Sequence, residues 1–173
     1  LNTLIYVVCG TALALLTSVL GAYPLSVKNL PGRKWVVRYL IIPMYFGGGL
    51  IPTFLLVNNL GLYNTRWAII LPTAVNIWYI ILTRTYFMGI PDSLRESAFI
   101  DGATHLQLLF QIIVPISKPI LAVIAIYKIV GIWNSWFGAL VYLPNENLHP
   151  LQMYLYRVLV QQTVNLKDLA FDE

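Results

Sequence analysis

Long uncharged runs alternate with short polar ones along this chain, and the alternation sets its elements. Leu1 to Val27 carries no charged side chain and is long enough to cross a bilayer as a helix, which takes about 20 apolar residues. Tyr39 to Thr65 is a second such run, interrupted by Pro43, Gly47-Gly48-Gly49 and Pro52. In water it would make a poor helix; in a membrane it persists where neighbouring helices or a water-filled cavity satisfy the freed backbone groups. Two readings stand for it, a bent helix lining a path or close helix packing through small residues. Trp67 to Thr83 and about Pro119 to Leu143 supply the third and fourth runs. Four membrane spans are thus predicted. Leu151 to Val160 is apolar but too short to cross alone, and Lys167 to Glu173 is a polar end.

The polar segments give the orientation. Lys28, Arg33, Lys34 and Arg38 cluster around Pro31-Gly32, and because basic residues gather in cytoplasmic loops, this loop is placed inside. The first span then runs from outside to inside. Asn58 to Arg66 becomes an external turn, Arg84 marks the next inner boundary, and Leu143 to Pro150 is a second external loop. Lys118, at the start of the fourth run, is placed to snorkel to the interface. Lys128 stands ten residues further on, about 15 Å along a helix and so near the bilayer midplane. An ionisable group there faces a bundle interior or an aqueous cavity.

Composition agrees with this reading. Hydrophobic residues make up 58% and charged residues 10%, with a mean hydropathy of +0.72, against a soluble norm of roughly a quarter charged. The chain reads as one integral membrane domain over 1–173. Its net charge of +4 is small, and its basic residues lack the interleaving that a nucleic-acid groove needs, so no nucleic-acid partner is expected. Cys9, the single cysteine, cannot form an internal disulfide and is expected to pack within its apolar run. Leu1 opens directly in apolar sequence without a basic leader region, which suggests a fragment.

One polar, patterned segment stands between the apolar runs: Glu96 to Pro115, ESAFIDGATHLQLLFQIIVP. Ser93-Leu94-Arg95-Glu96 has the spacing of a capping box, in which the Ser93 hydroxyl accepts the Glu96 amide and the Glu96 carboxylate reaches back to the Ser93 amide. A short helix is therefore predicted to begin there. Asp101-Gly102 ends it, since glycine takes the left-handed conformation without a Cβ penalty. A second helical run, Ala103 to Val114, stops against Pro115. The result is a helix, a turn and a helix, too polar in its first half to cross a bilayer.

At these residues the sequence resembles the membrane-spanning subunits of ATP-binding cassette (ABC) importers. Their signature is Glu-Ala-Ala, three residues, Gly, nine residues, Ile, one residue, Leu-Pro. It stands here as Glu96-Ser97-Ala98, Gly102, Ile112 and Val114-Pro115, with Ser for Ala and Val for Leu. Ile90-Pro91, Ile100-Asp101-Gly102-Ala103, Leu60-Gly61-Leu62 and Asn64-Thr65 are similar to the carbohydrate branch, nearest to permeases for aldouronate or alginate oligosaccharides. The resemblance implies an all-α, polytopic permease bundle of six spans in the bacterial cytoplasmic membrane. This chain would then lack the first and last spans, with 90–115 as the coupling-helix loop.

The mechanism implied by the resemblance is mechanical. The short cytoplasmic helix, Ser93 to Asp101, sits in a cleft of an ATPase subunit, and closure of the ATPase dimer rocks the spans between inward-open and outward-open states. Coupling would rest on Ser93, Glu96, Ser97, Ala98, Asp101, Gly102, Ala103 and Pro115. Ala98 is small enough for close docking, Gly102 makes the turn and Pro115 fixes the exit. Glu96 pairs with a basic residue of the ATPase or closes the capping box, and one carboxylate can serve both. Asp101 is a turn residue or a partner contact, and Arg95 a solvated charge. The implied partners are a second permease, two ATPase subunits, an external solute-binding protein and membrane lipid. No Gly-x-x-x-x-Gly-Lys-Ser/Thr loop occurs, so ATP and Mg belong on the ATPase and no cofactor is expected on this chain.

No catalytic constellation is legible. His105 and His149 lie far apart without an HExxH pattern, which argues against a zinc site, and no Ser-His-carboxylate arrangement suggests a triad; an enzyme is not expected. For the path, Tyr127, Gly131, Asn134 and Gly138 share a helix face by three-and-four spacing, and Lys128 adjoins it. Trp133 and Trp136 offer faces on which sugar rings can stack, and the Asn134 amide can bond hydroxyls; Trp136 is equally readable as an interfacial anchor. Lys128 either favours an acidic sugar such as a uronate oligomer or holds carbonyls or a sister subunit. Two functions follow: an oligosaccharide ABC importer permease, with amino-acid or peptide substrates still open, or an ATP-independent channel or secondary transporter in which the helix-turn-helix is only a packing element.

Overall fold

The computed structural model describes residues 1–160; the polar end at Lys167 to Glu173 lies outside the described residues. Among the described residues every regular element is helical, as the apolar runs predict. Helix α1, Asn2–Ser26, is unbroken. Its buried face carries Gly10, Ala14, Ser18, Ala22 and Ser26, small residues at every fourth position that let neighbouring backbones come close, the usual way helices associate in lipid. A Cβ at Gly10 would stand 2.7 Å from Ile132 Cδ1 and one at Gly21 3.2 Å from Ile80 Cδ1. The Ser18 and Ser26 hydroxyls donate to the carbonyls of Ala14 (2.6 Å) and Tyr23 (2.7 Å), so neither brings an unpaired polar group into the interior. Cys9 departs from its expected packing role: it lies exposed, on the opposite face with Val8 and Leu16.

The other three runs are each interrupted. The second divides into α2, Arg33–Tyr45, and α3, Leu50–Asn59, at the glycine triplet, where Gly49 takes φ 83°, a backbone conformation that side-chain-bearing residues avoid. The third divides into α4, Trp67–Ile70, and α5, Ile77–Met88. The intervening Pro72 has no N–H to continue the helix, and Asn76 restarts it by accepting the Tyr79 amide at 3.4 Å. The fourth divides into α9, Lys118–Trp133, and α10, Phe137–Tyr142. Among the described residues one helix, α1, is long and apolar enough to cross a membrane on its own, or up to three spans if each bent helix pair counts as one, against the four expected. A 3-10 turn at Glu146–Leu148 and a helical stretch over 151–160 follow.

The helices form two compact units. One comprises Leu1–Gly10, Gly48–Thr73 and the described residues from Lys128 onward; the other comprises Thr11–Gly47 and Ala74–Tyr127. In the first, Val57, Ala68 and Tyr142 make the core with Phe54 stacked on Tyr142 at 6.2 Å between centroids. The two loops expected outside are bound together there: the Asn64 amide donates to Tyr142 O (3.0 Å) and its side-chain oxygen accepts the Asn145 amide (3.1 Å). The Tyr6 hydroxyl donates to Leu148 O at 2.7 Å, tying the start of α1 to the second of these loops. In the second unit Val19, Tyr23, Ile80, Phe87, Ala98, Leu108, Leu109 and Ile113 form a continuous apolar core. Full burial of each such large side chain away from water contributes about 1.5–3 kcal/mol, which holds the polar loop firmly.

Candidate functional site

The helix-turn-helix forms in the second unit, with boundaries that differ from the expected ones. Helix α6 spans Asp92–Ile100 and is preceded by Pro91 at φ −54°, ψ 135°. Proline fixes its own φ and begins the helix one residue before Ser93, so Ser93 lies within the first turn and the Ser93–Glu96 capping box does not form. No side chain caps this end. Asp92 stands in the first turn instead, where a carboxylate is favoured by the helix dipole, and accepts a hydrogen bond from the Lys28 ammonium. That bond, before any other cause, holds the Asp92 carboxyl below its usual range.

The end of α6 is as predicted. Gly102 takes φ 79°; its amide donates to Phe99 O at 3.1 Å and the Ala103 amide reaches Ala98 O at 2.9 Å. These paired bonds are the usual closure of a helix on a left-handed glycine. The capping box of the loop lies just beyond, at the start of α7, His105–Gln107: the Gln107 amide donates to Thr104 Oγ1 (3.3 Å) and the Thr104 amide to Gln107 Oε1 (2.8 Å). Thr-x-x-Gln is itself a legible signature. The second run therefore begins after Thr104, winds as a π-helix over Leu108–Ile113 and continues through α8, Val114–Ile116. Pro115 does not end it. It occupies the first turn of α8, where a missing N–H is tolerated, and the bend of 77° into α9 comes at Ser117.

Exposure divides the loop into two faces. Ser93, Glu96, Ser97, Asp101 and Gly102 are exposed, and Ile100 stands 85% exposed. Ala98 is 5% exposed and packs inward, in one core with Leu108 and Ile113; it anchors the helix to its own chain and offers no docking surface. Ala103 is half-buried beside it. The Ser97 hydroxyl turns back to Ser93 O at 2.8 Å.

Arg95, expected as a solvated charge, proves to be a structural tie. Its guanidinium donates to Phe87 O at 2.8 Å and to Ser26 Oγ at 3.3 Å, joining α6 to the last turns of α5 and α1. Arg84 makes a parallel contact, donating from Nε to Leu25 O at 3.0 Å. On the other side of the turn, His105 Nδ1 lies 2.8 Å from the Tyr23 hydroxyl and its ring meets Phe99 edge-on at 4.9 Å. Helix α6 is thus fastened to α1 and α5 through polar contacts as well as apolar packing.

The expected path residues divide between the units, with Tyr127 in the second and Lys128, Gly131, Trp133 and Asn134 in the first. Tyr127, Gly131, Trp133 and Asn134 are all exposed, and a Cβ on Gly131 would meet nothing within 4 Å. Asn134 Oδ1 accepts from Gln152 Nε2 at 3.4 Å. Gly138 leaves the expected face because α9 ends at Trp133; a Cβ there would lie 3.4 Å from Ile69. Trp136 stacks on Tyr156 at 4.0 Å, 9° from parallel. Lys128 is buried, its ammonium on the carbonyl of Thr73 at 2.5 Å. His149 Nε2 lies 2.8 Å from Leu143 O. Among the described residues no group of His, Cys, Asp or Glu side chains could hold a metal.

Residues 14–157 match the sequence profile of the binding-protein-dependent transport system inner membrane component family. The chain is 42% identical to Protein LplC of Bacillus subtilis (strain 168) over 153 residues, which cover 88% of this chain and 52% of that protein. It is 41% identical to the polygalacturonan/rhamnogalacturonan transport system permease protein YtcP of the same organism, with coverage of 88% and 54%. Its fold is similar, at a TM-score of 0.89 and 39% identity, to a chain in the crystal structure of a bacterial ABC transporter involved in the import of the acidic polysaccharide alginate, covering 92% of this chain and 57% of that one. The chain spans about half the length of the curated relatives it matches.

Proposed function

This chain belongs to the family of binding-protein-dependent transport system inner membrane components, and on that premise we propose that it is the permease part of an ATP-driven importer of an oligosaccharide, acidic in character. It works with a second permease, two ATPase subunits and an external solute-binding protein, and leaves ATP and Mg to the ATPase. The observation that carries this reading is the two-faced α6. One face, with Ala98 and Arg95, is fastened to the chain's own core and helix ends; the other, with Glu96, Ile100 and Asp101, is exposed and has the polar and apolar character of a docking surface. A helix held so firmly on one side and left open on the other is suited to receive force from a partner.

The relative named for polygalacturonan and rhamnogalacturonan and the solved alginate importer support a saccharide substrate, and the latter an acidic one. The test is uptake of labelled alginate and galacturonate oligosaccharides, against a neutral oligosaccharide, by cells carrying the intact assembly. An ATPase co-purifying with the permease, and uptake that stops when its ATP hydrolysis is blocked, are expected. Uptake that continues with no ATPase present overturns the proposal and restores the channel or secondary-transporter reading.

A further inference from the structure

The second unit carries a basic cavity beside the start of α6. It measures about 610 Å³ and is lined by Lys28, Arg33, Lys34, Arg38 and Arg84 together with Trp35. Cavities of this size hold small-molecule ligands. Among the described residues Asp92, on Lys28, is the one carboxylate paired with any of the five cations. Orientation in the membrane accounts for basic residues in a loop, but not for this convergence: Arg84 comes from α5, remote in sequence from the other four, and opens onto the same space. The guanidinium groups are also held in place. Arg33 donates to Val27 O at 3.3 Å, Arg84 to Leu25 O at 3.0 Å, and Arg38 lies 5.1 Å over the Trp35 ring. Each keeps further N–H donors for a ligand, since a guanidinium has five. Like charges gathered this way repel one another, and an anion between them relieves that repulsion.

We propose that this cavity binds the phosphate headgroup of an anionic phospholipid from the cytoplasmic leaflet. The surroundings favour a lipid over a soluble anion. Trp35 is 72% and Tyr39 73% exposed beside the cations, with Val36 and Ile42 exposed along the same helix. Aromatic side chains of this kind sit at headgroup level and apolar ones face acyl chains, so α2 offers a basic end for the headgroup and an apolar flank for the tails. The cavity follows directly on the 25-residue α1, which by its length reaches from one membrane surface to the other. Basic pockets between helices at this depth are suited to anionic headgroups.

The test uses the whole assembly in lipid nanodiscs of phosphatidylcholine with or without phosphatidylglycerol, and counts the phosphatidylglycerol retained per complex by native mass spectrometry. Arg33→Gln with Arg38→Gln is expected to weaken phosphatidylglycerol binding roughly thirtyfold, from the attraction each cation near the surface supplies. Arg33→Lys with Arg38→Lys should keep most of it, and Lys118→Gln, outside the cavity, all of it. Unchanged retention in the double Gln variant overturns the proposal. Inorganic phosphate that displaces the lipid from the same site at comparable concentration also overturns it, in favour of a soluble anion. Should the Gln variant fail to assemble, the unsubstituted complex decides: retention must fall as salt rises, and retention indifferent to salt refutes an electrostatic headgroup site.

Discussion

Lys128 and Thr73 meet where a helix is broken: the buried ammonium donates to the Thr73 carbonyl at 2.5 Å, between the end of α4 and the start of α5. The Thr73 hydroxyl meanwhile folds back to Ile69 O at 3.1 Å and Ile70 O at 3.2 Å. A carbonyl freed by such a break has no partner within its own helix, and the Lys128 ammonium supplies the donor. Lys128→Met is therefore expected to lower the stability of the assembled protein by at most about 1.5–3 kcal/mol, the contribution of a hydrogen bond from a charged donor. It should reduce uptake of acidic and neutral saccharides in equal proportion. Thermal unfolding and paired uptake assays check this; a loss confined to acidic saccharides at unchanged stability would assign Lys128 to the substrate instead.

The same pair marks the limit of what the sequence discloses. A lysine ten residues into an apolar run announces burial, but its partner lies 55 positions away and only the fold names it. Local signals read better. Asp101-Gly102 closes α6 because a left-handed glycine is a property of a few residues, and the glycine triplet before Leu50 breaks its run for the same reason. The start of α6 is less legible, since Asp92 and Ser93 are both acceptable openings and Pro91 decides between them. Ala98 shows why a small residue is ambiguous: it suits docking against a partner and packing against Ile113 equally, and exposure alone separates the two. Arg95 could not be placed because its acceptors, Phe87 O and Ser26 Oγ, belong to other helices. Two signals were available without the structure: Thr104-x-x-Gln107, and the four-residue spacing of Gly10, Ala14, Ser18, Ala22 and Ser26.

Arg95 is predicted to act on coupling by positioning α6 against α1 and α5. Arg95→Met removes the donors to Phe87 O and Ser26 Oγ while keeping much of the side-chain volume. Hydrogen bonds from a charged donor contribute about 1.5–3 kcal/mol, enough to loosen the helix on its bed. The ATPase should still co-purify, because the exposed face is untouched, while the number of ATP molecules hydrolysed per solute imported rises severalfold. Arg95→Lys should recover part of the coupling. A normal ratio in Arg95→Met would show that apolar packing alone carries the force.

The Lys28–Asp92 pair gives a pH signature of defined direction. Asp92 is held below its usual range, chiefly by the hydrogen bond from Lys28. Its contribution to stability is therefore complete above the unfolded carboxylate value, about 3.9, and disappears as pH falls through the lower folded value. Both side chains are well exposed, at 65% and 49%, so the effect is small and screened by salt. Asp92→Asn should lower the thermal midpoint by the same small amount throughout about pH 5–8. The gap from the unsubstituted protein should close in acid and in high salt. A gap that widens toward acid would mean that another titrating group governs this end of α6.

Gly102 offers the cleanest separation of backbone geometry from docking. At φ 79°, with nothing within 4 Å of an added Cβ, Gly102→Ala meets no neighbour and is penalised only by the left-handed backbone, at about 1–2 kcal/mol. That variant should assemble, keep its ATPase and import at a modestly reduced rate. Gly102→Pro is a different matter, since proline fixes φ near −65° and removes the N–H that reaches Phe99 O at 3.1 Å. The turn can no longer close as it stands, and α6 loses its fixed angle to the run that begins at His105. The apolar helices do not depend on this turn and should still insert, so the expected result is a complex that hydrolyses ATP without importing solute. Hydrolysis and uptake measured on one preparation decide the point: normal coupling in Gly102→Pro would remove the turn from the path along which force travels.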